Sequence, residues 1–208
     1  MKIVIFDMDG TLIDSKKDIT ISVNYIRDKN HNLPPLSEEY VTKIINMERR
    51  DLPKLFYNTD GYQKKDKELF ELHYADQCIQ NLSLYDGILE MLQKLSSQNI
   101  KMSVATNAPT QFADKMLSHL DIADMFDVII GADKVSASKP DPEMLHNILD
   151  YYNFNKEIDK AWMIGDSVKD MKSAENAEIK SIFVTWGFSP KSDYDIVIDY
   201  PKELIQNV

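Results

Sequence analysis

The sequence predicts an α/β fold: a parallel sheet with helices on both faces and a small all-helical insert after the first strand. Three observations carry this. Strand-like and helix-like segments alternate strictly from Leu84 onward, a pattern that builds a parallel sheet covered on both sides. A solitary apolar run, Ile3-Val4-Ile5-Phe6, opens the chain. The stretch between them, from Ser15 to about Leu82, has apolar residues at helical spacing and no convincing strand.

The elements follow in order. The opening run is too short for a helix and β-branched enough for a buried strand. The insert is rich in Lys, Asp, Glu, Asn and Tyr. Its apolar stripes (Ile19, Val23, Ile26 and Leu69, Leu72, Ala75), divided by Pro34-Pro35 and Asp60-Gly61, predict four short helices. Beyond it, helices over 87–97, 112–120, 143–152 and 171–177 precede strands near 102–105, 128–130, 162–164 and 181–184, with a last short strand at 196–198. The expected division is a core of 1–15 and 83–208 and an insert of 16–82.

Composition narrows the function. The 208 residues are 43% hydrophobic and 28% charged, values of a chain that buries a sizeable core. Acidic residues (34) exceed Lys plus Arg (24), giving a net charge of −10 and a pI near 4.9. Such a surface repels nucleic acid and anionic lipid, so neither is an expected partner. Cys78 is the single cysteine, which excludes an internal disulfide and a thiolate metal cluster. His31, His73, His119 and His146 show no metal-binding spacing and read as ordinary helix residues. The opening apolar run is too short for a signal peptide, and nothing approaches the roughly 20 apolar residues needed to cross a bilayer. The expected location is cytoplasmic. A metal, if used, should be a hard ion held by carboxylates, such as magnesium. The oligomeric state is open.

In an open parallel sheet, ligands bind beyond the carboxyl ends of the strands. After the first strand comes Asp7-Met8-Asp9-Gly10-Thr11, and after the second Thr106-Asn107. The third leads to Ser138-Lys139-Pro140-Asp141-Pro142, and the fourth to Gly165-Asp166-Ser167 and Asp170. Carboxylates, one lysine and one hydroxyl thus converge on one edge. Together Asp7, Asp9 and Asp166 would raise one another's pKa, and Mg²⁺ with Lys139 is the natural neutraliser. The same charges suit a phosphoryl group, with Thr106 and helix N-terminal amides as donors. Strand alternation would send Asp7 and Asp9 to opposite sides, so Gly10 must bend the chain if both are to face one substrate. Each residue also has a structural reading: Asp9-Gly10 as a turn, Ser167 as an N-cap supported by Asp170, Pro142 as the first residue of a helix capped by Asp141.

Phe6-Asp7-Met8-Asp9-Gly10-Thr11-Leu12 with Ile13-Asp14-Ser15, then Thr106-Asn107, Lys139-Pro140 and Gly165-Asp166-Ser167 with Asp170, resemble the four ordered motifs of the haloacid dehalogenase-like superfamily. The resemblance implies a Rossmann-like core, with the insert as a helical cap. Leu84-Tyr85-Asp86-Gly87, Thr106-Asn107-Ala108-Pro109 and Trp186-Gly187-Phe188 resemble its phosphoglycolate phosphatase-like branch, close to β-phosphoglucomutase-like and pyrophosphatase-like members. Two departures stand out: Ala177-Glu178 replaces the usual Ala-Gly after the motif IV helix, and Asp86 precedes Gly87 where Pro is usual.

The resemblance implies that Asp7 is the nucleophile, forming an aspartyl-phosphate, and that Asp9 is the general acid/base. Mg²⁺ would be held by the Asp7 carboxylate, the Asp9 main-chain carbonyl and Asp166. Thr106 would bind the phosphoryl group, with Asn107 nearby. Lys139 would stabilise charge, and Asp170, Gly10 and Ser167 would support from behind. The expected enzyme is a phosphatase acting on a small soluble phosphomonoester. A phosphomutase with the same residues and a receiver-like Mg²⁺-binding module are the alternatives. Arg49 and Arg50 in the insert are candidate contacts for a distal substrate anion. Adjacent helix residues face different ways, so at most one would serve. A solvated pair balanced by Glu48 and Asp51 is the competing reading.

Overall fold

The computed structural model describes residues 1–47, 51–189 and 193–208. Arg49 and Arg50 lie outside the described residues. The chain divides into two compact units, Met1–Asp14 with Leu84–Val208, and Ser15–Ser83.

In the first unit β1 (Lys2–Phe6) is followed by β2 (Ile13–Asp14). The second unit then supplies α1 (Lys16–His31), α2 (Glu38–Asn46), α3 (Leu52–Tyr57) and α4 (Lys64–Gln77). After β3 (Ser83–Leu84) and α5 (Ile88–Ser97) come β4 (Lys101–Ala105), α6 (Thr110–His119), β5 (Val128–Ile130) and α7 (Glu143–Tyr151). Next are β6 (Lys160–Gly165), α8 (Val168–Asn176), β7 (Lys180–Val184), β8 (Val197–Ile198) and α9 (Leu204–Asn207).

The main sheet runs β5-β4-β1-β6-β7-β8 and every described pairing in it is parallel. β2 and β3 form a separate two-stranded sheet. The chain works outward from β1 through β4 to β5, then crosses to β6 and continues the other way. The order therefore reverses beside β1, and the crevice at such a switch point is where this architecture binds ligands. Ile3, Val4, Ile5 and Phe6 have no exposed surface, as expected of a central strand covered on both faces. Ile3 and Ile5 pack with Met144, Leu145 and Ile148 of α7 and Ala174 of α8.

The helical unit closes on Val23 and Ile26 of α1, Val41 and Ile44 of α2, and Phe56 and Tyr57 of α3. One stripe needs correction. Leu72 is 73% exposed, and α4 turns Asp66, Tyr74 and, at its C-cap, Cys78 inward instead. Those buried positions follow an i, i+4 row through Phe70, which the polar Asp66 interrupts in the sequence. Asp18 at the start of α1 is fully buried and accepts from Gln77 Nε2 (2.8 Å), Asn81 Nδ2 (2.7 Å) and the Asn81 main-chain N–H (2.9 Å). It ties the segment entering this unit to the segment leaving it.

Helix ends explain the remaining boundary shifts. α8 begins at Val168, three residues before the expected Met171, because Ser167 is its N-cap and Asp170 Oδ2 accepts from the Ser167 N–H. Pro142 is itself the N-cap residue of α7 rather than its first helical residue, with Asp141 Oδ1 accepting from the Glu143 N–H. After α1, α3, α5, α6 and α7 a left-handed residue follows: Asn32, Asn58, Asn99, Asp121 and Asn153. After α8 it is Glu178, with φ +54. There Glu178 N–H donates to Glu175 O and Ile179 N–H to Ala174 O, a Schellman ending that favours glycine. The departure from Ala-Gly noted in the sequence falls on this position. Likewise Asp86 occupies the second position of a turn closed by Ile88 N–H to Tyr85 O, before Gly87 at φ +84, where proline is favoured in turns of this kind.

Candidate active site

Asp7 is the first residue past β1, and its N–H donates to the Ile164 carbonyl of β6 (2.8 Å), so the chain is still held in the sheet as it reaches the crevice. The turn beyond is tight. The N–H groups of Thr11, Leu12 and Ile13 all donate to Met8 O, and Gly10 takes φ +86. A side chain at Gly10 would stand 2.5 Å from Asp166 Oδ2, so the glycine serves both the bend and the approach of the Asp166 carboxylate. Gly165 and Gly187 are equally constrained: a Cβ there would lie 2.4 Å from Asp170 Cβ or 2.0 Å from Gly10 O.

Lys139 reaches this point from the long loop after β5. Its Nζ, almost wholly buried, donates to Asp7 Oδ1 (2.7 Å), Asp170 Oδ1 (2.6 Å) and the Ala105 carbonyl (2.6 Å). Asp170 Oδ2 accepts from the Ser167 N–H (3.1 Å) and hydroxyl (2.5 Å). Both oxygens of Asp170 are thus committed to protein donors, which makes it the anchor of Lys139. Asp166 Oδ2 accepts from the Phe188 N–H (2.6 Å). Carboxylate oxygens of Asp7, Asp166 and Asp170 lie within 4.8 Å of one another. Asp9 is half-buried and its side chain is not part of that group.

Three buried carboxylates against one ammonium leave an excess of negative charge. Burial, and next the charge of Asp170, pushes the Asp7 carboxyl up to about 8 against the pull of Lys139, with Asp166 raising it further. Burial works against the charged form of Lys139, but Asp170 and Asp7 outweigh it and hold its pKa above the usual lysine value. A second, divalent positive charge fits this donor set of hard oxygens and would bring Asp7 to its ionised form.

Thr106 is buried at the end of β4, with its N–H donating to Ile130 O and its Oγ1 accepting from the Ala108 N–H (3.1 Å), so its own proton is left for an oxygen in the crevice. Asn107 has a structural task here. Its side-chain amide pairs with the main chain of Lys139 at both ends, Nδ2 to Lys139 O and Lys139 N–H to Oδ1, each 3.0 Å. It holds the Lys139 loop. The helix N-terminal amides expected to serve a phosphoryl group are partly spoken for: Thr110 N–H goes to Asp133 Oδ1 (2.6 Å), and Ser167 N–H to Asp170.

A fifth strand end belongs to the same edge. The rule applied to the next strand, β7, leads to Trp186-Gly187-Phe188, where Trp186 Nε1 donates to Thr11 O (2.9 Å) and Phe188 N–H meets Asp166. Asp133, which caps α6, gave no signal, because an acid in a loop after a strand has no distinguishing spacing.

The chain matches the haloacid dehalogenase-like hydrolase family over residues 4–184. It is 30% identical to an N-acetylmuramic acid 6-phosphate phosphatase of Pseudomonas aeruginosa, covering 99% of this chain and 93% of that protein. It is also 30% identical to a phosphoglycolate phosphatase of Nitrosococcus oceani, over 95% and 92%. Its fold superposes on the crystal structure of a predicted phosphoglycolate phosphatase from Haemophilus somnus, with TM-score 0.85, 23% identity and coverage of 100% and 97%. The structure of a predicted phosphatase from Clostridium acetobutylicum gives TM-score 0.84 and 25% identity, over 99% and 97%. A parallel sheet whose strand ends gather Asp7, Lys139, Asp166 and Asp170, together with a family match across most of the length, places this chain among the haloacid dehalogenase-like hydrolases.

Proposed function

We propose that the protein is a Mg²⁺-dependent phosphatase that hydrolyses a small phosphomonoester through an aspartyl-phosphate on Asp7. The observation that carries this reading is the buried contact of Lys139 with Asp7 beside two further carboxylates, a site charged for one cation and one phosphoryl group. The phosphatase relatives support it, and so does the presence of Asp9, since a halide leaves without a proton and an alcohol does not.

Mg²⁺ would be held by the Asp7 carboxylate, the Asp9 carbonyl and Asp166, and when bound it offsets the charge of the site and of the phosphoryl oxygens. Asp7 attacks phosphorus in line with the ester oxygen; the P–O bond breaks as the Asp7–phosphorus bond forms. Asp9 gives its proton to the departing oxygen, then takes one from the water that attacks phosphorus and frees Asp7. Lys139 stays charged throughout, holding the Asp7 carboxylate in one orientation and meeting the phosphoryl charge. Thr106 donates to a phosphoryl oxygen. Asn107 fixes the Lys139 loop.

The test is phosphate release from a panel of phosphomonoesters, with and without Mg²⁺. The panel includes phosphoglycolate, N-acetylmuramic acid 6-phosphate, sugar phosphates and nucleoside monophosphates. Turnover of at least one ester that stops on chelation is expected. Intramolecular transfer without free phosphate would mark a mutase, and no turnover of any ester would overturn the reading.

A further inference from the structure

β7 lies beside β6 in the sheet, so the chain leaving β7 emerges next to Asp166. Three contacts tie this exit, Trp186-Gly187-Phe188, to two loops of the site. Trp186 Nε1 donates to the Thr11 carbonyl (2.9 Å), in the turn that follows Asp9. The Phe188 N–H donates to Asp166 Oδ2 (2.6 Å). Between them Gly187 is wedged so closely that a Cβ there would lie 2.0 Å from Gly10 O and 2.6 Å from Asp166 Cβ. The turn itself is stiff, because Gly10 N–H donates to Ile13 O (2.9 Å) and three further N–H groups converge on Met8 O. Asp9 and Asp166 come from different strand ends, and this three-residue segment touches both of the loops that carry them. On its outer side the segment is anchored separately. Thr185 Oγ1 donates to Asp199 Oδ1 (2.6 Å), and Thr185 N–H to Ile198 O (3.1 Å).

We propose that Trp186 is a positioning residue for the metal: by pinning this segment to the Gly10-Thr11 turn it fixes the spacing of the Asp9 carbonyl and Asp166, and so favours Mg²⁺ over a larger ion. The inference rests on the Mg²⁺ reading above. Mg²⁺ demands a near-octahedral ligand set at about 2.0–2.1 Å, whereas Ca²⁺ accepts more ligands at about 2.3–2.6 Å in looser geometry. Two ligands on separate loops suit the smaller ion only when their spacing is held closely. Gly187 lets the segment approach both loops, and the indole N–H, which donates and cannot accept, holds it to the turn. Groups that orient metal ligands from behind contribute to affinity without touching the ion.

The experiment is titration calorimetry of the full chain with Mg²⁺, and separately with Ca²⁺, for the wild type, Trp186→Phe and Thr185→Val. The first variant keeps a ring and removes the donor; the second removes the outer anchor of the same segment. In Trp186→Phe, Mg²⁺ affinity should fall about tenfold and Ca²⁺ affinity less than about threefold. Thr185→Val should bind both ions within about twofold of the wild type, even where its Tm falls. Unchanged Mg²⁺ affinity in Trp186→Phe overturns the proposal. So does an equal loss for the two ions, or the same loss in Thr185→Val, either of which marks a general loosening. If Trp186→Phe does not fold, Trp162→Phe leaves Trp186 as the one tryptophan of the chain. Its emission should then change across the Mg²⁺ titration, and an invariant emission overturns the proposal. A wild type that binds no Mg²⁺ overturns the metal reading and this role with it. A wild type that binds Mg²⁺ beside an unaffected Trp186→Phe variant overturns only the role of Trp186.

Discussion

Lys139 and Asp7, 132 residues apart in sequence, meet at 2.7 Å in a buried site. The same ammonium reaches Asp170 at 2.6 Å. One lysine therefore fixes the residue after β1 relative to the first turn of α8, and two strand ends are locked together by a charge rather than by packing. Such a charge-assisted contact is strong when both partners are held by further bonds, and here Ser167 holds Asp170 while Asn107 holds the Lys139 main chain.

Removing that ammonium separates chemistry from metal binding. Lys139→Met should lower kcat by roughly 10²–10³, because the charge facing the phosphoryl group is lost. Affinity for Mg²⁺, read by titration calorimetry, should be undiminished, since the carboxylates then have one positive charge fewer competing for them. A variant that loses Mg²⁺ affinity and kcat together would assign Lys139 to holding the loop.

Stability of the metal-free protein should depend on Asp7. Its carboxyl is raised by burial from the ordinary 3.8 to about 8, so the native state holds this proton more tightly than the unfolded chain does. The contribution is full below pH 3.8 and fades as pH rises toward about 8. Denaturation of wild type and Asp7→Asn in chelator should therefore show the wild type losing stability relative to the variant across that window. Saturating Mg²⁺ should restore the wild type by binding the ionised form. Parallel curves in chelator would show that Asp7 is not so perturbed.

Much of this was legible in the sequence, and the reasons differ by element. Central strands such as β1 and β6 are apolar runs because both faces are covered, and the rule that ligands gather past strand ends located Asp7, Thr106, Lys139 and Asp166 without any structure. The inward face of α4 was missed because its stripe passes through Asp66, a buried acid that accepts from Asn30 Nδ2 and contacts His31 Nε2. The start of α8 was missed because Ser167 and Asp170 make it polar. The orientation of Asn107 toward Lys139 depends on a loop contact that no local spacing encodes.

Asp18 gives a test within the helical unit. Asp18→Ala leaves three donors of Gln77 and Asn81 without their acceptor and should cost about 2–4 kcal/mol. Hydrogen exchange should show the lost protection inside Ser15–Ser83, with the sheet unit little changed. A uniform change across both units would contradict this.

Glu178→Gly should stabilise the protein by roughly 0.5–1 kcal/mol, raising Tm by about 2 °C. The left-handed φ of +54 favours glycine, and among the described residues the exposed Glu178 side chain makes a 4.0 Å contact with Lys156. Activity should not change. A lower Tm would mean that the contact with Lys156 outweighs the backbone gain.

The central claim is that Asp7 carries the phosphoryl group. An acid quench during steady-state turnover of the best ester, followed by peptide mass analysis, tests it most directly. Phosphate should be found on the peptide containing Asp7, labile to hydroxylamine, in the wild type and absent from Asp7→Asn. Turnover by the wild type with no phosphorylated Asp7 peptide, or full kcat retained by Asp7→Asn, would contradict the account.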